Sequence, residues 1–99
     1  MSDLAFLETL EGVIAQRLED APQGSYTARL AAGGIKKVAQ KVGEEAIELA
    51  LAAVGEDRAR VTAEAADLVY HALLLLHVRE VTLAEVVAEL ERRHTSRSG

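Results

Sequence analysis

KVGEEAIELALAAV (residues 41–54) and, further along, VTAEAADLVYHALLLLHV (61–78) decide the fold of this 99-residue chain. Both stretches are long, apolar and free of proline, and read as core helices. Between them they carry five carboxylates: Glu44, Glu45 and Glu48 on the first, Glu64 and Asp67 on the second. From Ala46 to Val54 the only polar residue is Glu48. A helix that is apolar all round is buried all round, so Glu48 is expected to face a packed interior. Burying a charged carboxylate without a partner costs more than a small domain can spare. A divalent cation is the expected counter-charge.

Outward from these two segments the chain reads as all-α, with four to five helices. A first helix is expected over residues 3–20, with Ser2 as N-cap and Leu4, Leu7, Leu10, Ile14 and Leu18 as one buried stripe. Pro22 and Gly24 end it. A short second helix starts at Ser25 and runs to Leu30 or Ala32, where Gly33-Gly34 breaks it. The third spans residues 35–54 and stops at Gly55, read as a C′ residue. The fourth covers residues 57–79. The fifth opens with the capping box Thr82-Leu83-Ala84-Glu85 and fades near Arg93. This makes one domain over residues 1–93 and a small, polar, frayed tail over 94–99. No strand pattern, repeat or low-complexity run is present, and three aromatics with one proline do not suit a β fold.

Composition narrows the function. There is no cysteine, hence no disulfide framework and no thiolate zinc site. The formal charge is −5, from 16 acids against 11 bases. Without the five acids of the two central helices the balance is even, so the excess acidity is the cluster itself. No basic stripe exists for nucleic acid. The N-terminal segment is amphipathic and acidic, unlike a basic signal peptide. The apolar run of residues 68–78 is interrupted by His71 and His77 and is too short to span a bilayer. A soluble cytoplasmic protein is expected.

At about 100° per residue, Lys37, Lys41, Glu44, Glu45 and Glu48 share one stripe of the third helix roughly 100° wide. Glu64 and Asp67 lie about 60° apart on the fourth helix, with His71 one turn beyond. Antiparallel packing would bring two i,i+3 acid pairs face to face. Such an all-oxygen cage suits Mg²⁺, or Mn²⁺ in its place, rather than zinc or copper. Magnesium takes phosphate oxygens as remaining ligands, and the two lysines favour an anionic substrate. Two-metal attack on a phosphoanhydride follows. The plain alternative is that single acids on helices are solvated and that Lys41 and Glu45, four apart, form a surface ion pair. Five acids within 24 residues on apolar-flanked faces weigh against it. His77 reads as structural. Gly33-Gly34 reads as a helix break rather than a phosphate loop, because no strand precedes it.

Glu44-Glu45-x-x-Glu48 followed by Glu64-x-x-Asp67 resembles the EExxE…ExxD signature of the all-α, MazG-like nucleotide pyrophosphatases. The segments Pro22-x-Gly24-Ser25-Tyr26-Thr27, Lys41-Val42-Gly43-Glu44-Glu45 and Asp67-Leu68-x-Tyr70-His71, with Arg17, Gly34 and Lys37, are similar to the phosphoribosyl-ATP pyrophosphatases of histidine biosynthesis. The match runs from about Leu4 to Arg92. The resemblance implies a MazG-like helical bundle completed by oligomerisation, as a homodimer or a dimer of dimers. It implies Mg²⁺-dependent hydrolysis of phosphoribosyl-ATP to phosphoribosyl-AMP and pyrophosphate. It makes Glu45, Glu48, Glu64 and Asp67 the metal ligands and Glu44 a further ligand or the group that orients the attacking water. Lys41 and Lys37 would hold the phosphates, with Arg17 assisting. Ser25, Tyr26 and Thr27 match a substrate-side motif in which Ser25 also reads as an N-cap, and His71 supports the site from behind. Some relatives fuse this domain to a cyclohydrolase with cysteine-bound zinc; this cysteine-free chain is expected to be the stand-alone form. Two other functions fit the same residues: a MazG-like pyrophosphatase for another (deoxy)nucleoside triphosphate, and a non-catalytic helical oligomerisation module.

Overall fold

The computed structural model describes residues 3–97, with no account of the side chains at 96 and 97. Five helices follow one another: α1 (Phe6–Asp20), α2 (Tyr26–Ala32), α3 (Ile35–Gly55), α4 (Arg58–Val78) and α5 (Leu83–Arg97). No strand occurs among the described residues. The fold is all-α, as expected.

Local chemistry sets most boundaries. The Ser25 side chain accepts from the Ala28 amide at 3.1 Å and opens α2. Asp57 accepts from the Arg60 amide at 2.9 Å and opens α4. Thr82 and Glu85 close a reciprocal capping box, Glu85 taking the Thr82 amide at 2.9 Å and Thr82 the Glu85 amide at 3.1 Å. Gly34 enters α3 at φ 97°, ψ 164°, a region open essentially to glycine alone.

Other boundaries depart from the expectation. Helix α1 begins at Phe6, three residues later than its sequence pattern suggests. The Asp3 side chain accepts from the Ala5 amide at 2.9 Å and holds the preceding turn. The expected cap Ser2 lies outside the described residues. Leu4 precedes the helix and is exposed rather than part of the buried stripe. Gly55 is the last residue of α3 and not a left-handed C′, because Glu56 leaves directly in an extended conformation toward the Asp57 cap. Helix α5 does not fade near Arg93 but continues to Arg97, supported by Glu89 paired with both Arg92 and Arg93.

The core is Ile14, Val38, Leu73 and Leu74, with Leu7, Leu10, Leu18 and Leu30 packed against it. The most extensive helix contact is between α3 and α4, an antiparallel hairpin with a two-residue joint. Helix α4 has the length and mean hydropathy, 1.3, of a bilayer-crossing helix. It carries Glu64, Asp67 and His71, however, and packs along α3 with Glu64, His71, Leu73 and Leu74 buried. Helix α5 is tethered by the Leu83 amide donating to Glu11 Oε2 at 2.8 Å.

Glu48 does not face a packed interior. It is exposed, as are Ile47 (63%), Leu51 (68%) and Val54 (87%) on the same helix. The all-round apolar character of α3 is real, but one chain covers only the side that meets α4. Among the described residues five apolar side chains are buried and eleven large ones are exposed, so this chain alone leaves much of its apolar surface in water.

Candidate metal and active site

The α3–α4 hairpin brings together Glu45, Glu48 and Glu64. Each offers one carboxylate oxygen, and the three oxygens lie within 4.8 Å of one another. Glu45 and Glu64 are 4% and 7% exposed, whereas Glu48 stands at the open side. A cavity of about 210 Å³ opens beside them, lined by Glu48, Leu51, Ala52, Glu56, Arg60 and Glu64.

The charge balance of this cluster is incomplete. Lys41 Nζ sits 3.2 Å from Glu45 Oε1, one helical turn away. Arg60 Nε approaches Glu64 Oε1 at 3.9 Å. Glu45 Oε2 is buried with no hydrogen-bond partner among the described residues. Carboxylates this close repel one another, and a shared proton or a cation relieves the repulsion. In keeping with this, the hydrogen bond to Glu45, then its charge, hold the Glu48 carboxyl above the ordinary glutamate range, against the opposing pull of Lys41. The bond to Glu45 likewise raises the Lys41 ammonium above its usual value, against a smaller opposing effect of desolvation. Oxygen-only donors, a buried orphan oxygen and mutual repulsion together fit a hard divalent cation.

The remaining candidate residues divide into two groups. Asp67 is exposed and lies outside the three-acid cluster, one turn along α4 from Glu64. In the antiparallel register that sets Glu48 beside Glu64, this turn runs level with Glu45. Glu44 is exposed and accepts from Gln40 Nε2 at 3.1 Å. Lys37, in the first turn of α3, and Arg17, near the end of α1, are exposed and make no ion pair among the described residues.

The second group ties α2 to α4. The Tyr26 hydroxyl meets His71 Nε2 at 2.8 Å, and His71 Nδ1 meets the Asp67 carbonyl oxygen at 2.8 Å. Thr27 is 1% exposed and its hydroxyl is hydrogen-bonded to that of Tyr70. Ser25 caps α2. His71 is 6% exposed and stands edge-on to both Tyr26 and Tyr70, with ring centroids 5.8 and 5.2 Å away. Sequence reasoning gave no site role to Tyr70 or Arg60. The i,i+4 spacing of Arg60 to Glu64 was a visible signal. The partner of Tyr70 was not, because it comes from another helix.

The family described as phosphoribosyl-ATP pyrophosphohydrolase matches residues 7–94. This chain belongs to that family. It is similar to a phosphoribosyl-ATP pyrophosphatase of Metallosphaera sedula, 55% identical over 87 residues, which are 88% of this chain and 94% of the relative. It is 50% identical over 99 residues to one of Ignicoccus hospitalis, covering 100% of this chain and 95% of that protein. A histidine biosynthesis bifunctional protein of Pasteurella multocida is 50% identical over 93 residues, which are 94% of this chain and 46% of the longer protein. In this chain the acids named above occupy the α3–α4 hairpin and the Ser25-Tyr26-Thr27 segment occupies the start of α2.

Proposed function

We propose that this chain hydrolyses phosphoribosyl-ATP at the α–β phosphoanhydride, releasing phosphoribosyl-AMP and pyrophosphate, in the cytoplasm and as a step of histidine biosynthesis. The observation that carries the reading is the three-carboxylate cluster with its orphaned Glu45 Oε2 in a chain of this family. Glu45, Glu48 and Glu64 would hold Mg²⁺, or Mn²⁺ in its place, with Asp67 completing the set from the next turn of α4. The ion supplies Lewis-acid polarisation of phosphoryl oxygens and acidifies water.

The chain's own residues supply the rest. Lys41 neutralises Glu45 in the resting protein, and with a cation beside Glu45 its ammonium is released to bind phosphate. Because its pKa is raised, it stays charged throughout the physiological range. Lys37 lies one turn before Lys41 on the same face and extends the cationic edge, with Arg17 contributing from α1. Glu44, held by Gln40, is a carboxylate free of the cluster and suited to orient or deprotonate the attacking water. Direct attack by water fits a chain with no cysteine. A second copy of this chain covers the exposed Ile47, Leu51 and Val54 stripe beside the cluster, giving a homodimer or a dimer of dimers.

The test is phosphate release coupled to inorganic pyrophosphatase, with phosphoribosyl-ATP, ATP and dUTP as substrates and Mg²⁺ present. Preferential turnover of phosphoribosyl-ATP is expected. Equal or better turnover of the simple triphosphates, or none of any, would overturn the reading.

A further inference from the structure

The start of α2 is joined to α4 by two hydrogen-bonded pairs between adjacent residues, Tyr26 with His71 and Thr27 with Tyr70. The direction of the first pair is fixed by its far end. The Asp67 carbonyl oxygen can only accept, so His71 Nδ1 carries the imidazole proton and donates to it. A neutral ring protonated at Nδ1 leaves Nε2 as a lone pair, and the Tyr26 hydroxyl must donate to it. In the neutral ring the chain therefore runs one way: Tyr26 O–H to His71 Nε2, then His71 Nδ1–H to the Asp67 carbonyl. His71 is buried and braced edge-on by both tyrosine rings, so it transmits position rather than swinging. Tyr26 itself is 43% exposed.

We infer that Tyr26 is a positioning residue for hydrolysis: paired with His71, and flanked by the Thr27–Tyr70 pair, it clamps α2 to the turn of α4 that carries Asp67, next to the turn that supplies Glu64 to the acid cluster. This rests on the proposed hydrolase reading and deepens it. The Ser25-Tyr26-Thr27 segment then acts mainly through α4. Ser25 caps the helix and Thr27 is too buried to touch substrate. With its proton committed to His71, the Tyr26 hydroxyl has no donor left for a phosphate oxygen and does not serve as a phosphate-binding group.

Three measurements on the full chain test this. In ¹⁵N-labelled wild type, imidazole nitrogen shifts of His71 at neutral pH are expected to report a protonated Nδ1 and an unprotonated Nε2; the opposite tautomer overturns the clamp. Tyr26→Phe, assayed with phosphoribosyl-ATP and saturating Mg²⁺, is expected to lose about tenfold or more in kcat with KM changed less than about twofold, as misplacement of a site group does. A rise in KM with kcat unchanged would mean that Tyr26 binds substrate directly. Unchanged values of both would make the pair merely structural. Either result overturns the inference. In a His71→Asn background, Tyr26→Phe is expected to cost almost nothing further, since the residue acts through the imidazole; full additivity overturns it. If wild type itself fails to turn over phosphoribosyl-ATP, the hydrolase reading and the positioning role fall together. The nitrogen shifts then still decide the clamp.

Discussion

Replacing Lys41 with alanine removes the cation paired with buried Glu45. At 3.2 Å the gross attraction is about 5 kcal/mol for an effective dielectric near 20. The Lys41 side chain is 35% exposed, and ordering its stem has an entropic cost, so the net value falls to about 1–2 kcal/mol, between exposed and buried pairs. The variant would leave Glu45 with Oε2 already unpartnered and Oε1 stripped of its cation. In chelator, Lys41→Ala is therefore expected to melt roughly 4–16 °C below wild type, at about 4–8 °C per kcal/mol for a domain of this size. Magnesium changes the comparison. Equal binding would leave the deficit unchanged, but without a competing ammonium the ion should bind the variant more tightly, and a Kd lower by about fivefold or more returns about 1 kcal/mol at saturation. Saturating Mg²⁺ should thus shrink the melting deficit to half or less, at matched protein concentration. Activity should not recover: the phosphates lose their main cation, and kcat/KM should fall about 100-fold or more. Equal deficits with and without Mg²⁺ would refute the reasoning, because Lys41 and the ion would then not balance the same charge. Near-normal turnover would refute the role in substrate binding.

Glu48→Gln should abolish turnover while the metal-free variant is more stable than wild type at pH 7. The Glu48 pKa is raised in the folded state, so its stabilising contribution is present below the ordinary value of 4.5 and lost as pH rises through the raised one. Urea midpoints in chelator should therefore show a gap between variant and wild type that narrows as pH falls toward 4.5; a gap independent of pH would contradict the shared proton. Leu51→Lys, on the exposed α3 stripe, should shift sedimentation to a smaller species and reduce activity, and an unchanged assembly would remove that stripe from the interface. Thr82→Ala should cost about 1 kcal/mol by opening the capping box, read from urea midpoints at pH 7. Glu85 is held below its usual range, first by the Thr82 amide and then by the Thr82 hydroxyl; the variant keeps the amide and loses the hydroxyl, so the hydroxyl's share of the loss is present at neutral pH and fades as pH falls through the lowered value. A loss that persists undiminished in acid would point elsewhere.

The sequence shows clearly whatever depends on neighbours a few residues away. Ser25, Asp57 and the Thr82–Glu85 pair cap helices because the partner lies within one turn. The two apolar segments pair as a hairpin because their lengths match and the joint is short. Glu45, Glu48 and Glu64 meet as their spacing suggested. What needs a partner from elsewhere was harder to read. The apolar girth of α3 suggested burial of Glu48, but burial requires a covering surface and this chain supplies only α4. The burial of Thr27 depends on Tyr70, 43 residues away. The exit of α3 depends on the Asp57 cap beyond it, which removes any need for a left-handed Gly55. Asp67 has the right spacing yet is exposed and not one of the cluster of three, since i,i+3 spacing fixes a face and not a depth.

The central claim is that this acid cluster directs water onto the α–β anhydride of phosphoribosyl-ATP. A single turnover with excess enzyme in ¹⁸O-water and Mg²⁺, followed by mass analysis of both products, tests it most directly. One labelled oxygen should enter one product, and the two departing phosphates should leave joined as pyrophosphate. Orthophosphate released one group at a time, or products without label in that first turnover, would contradict it.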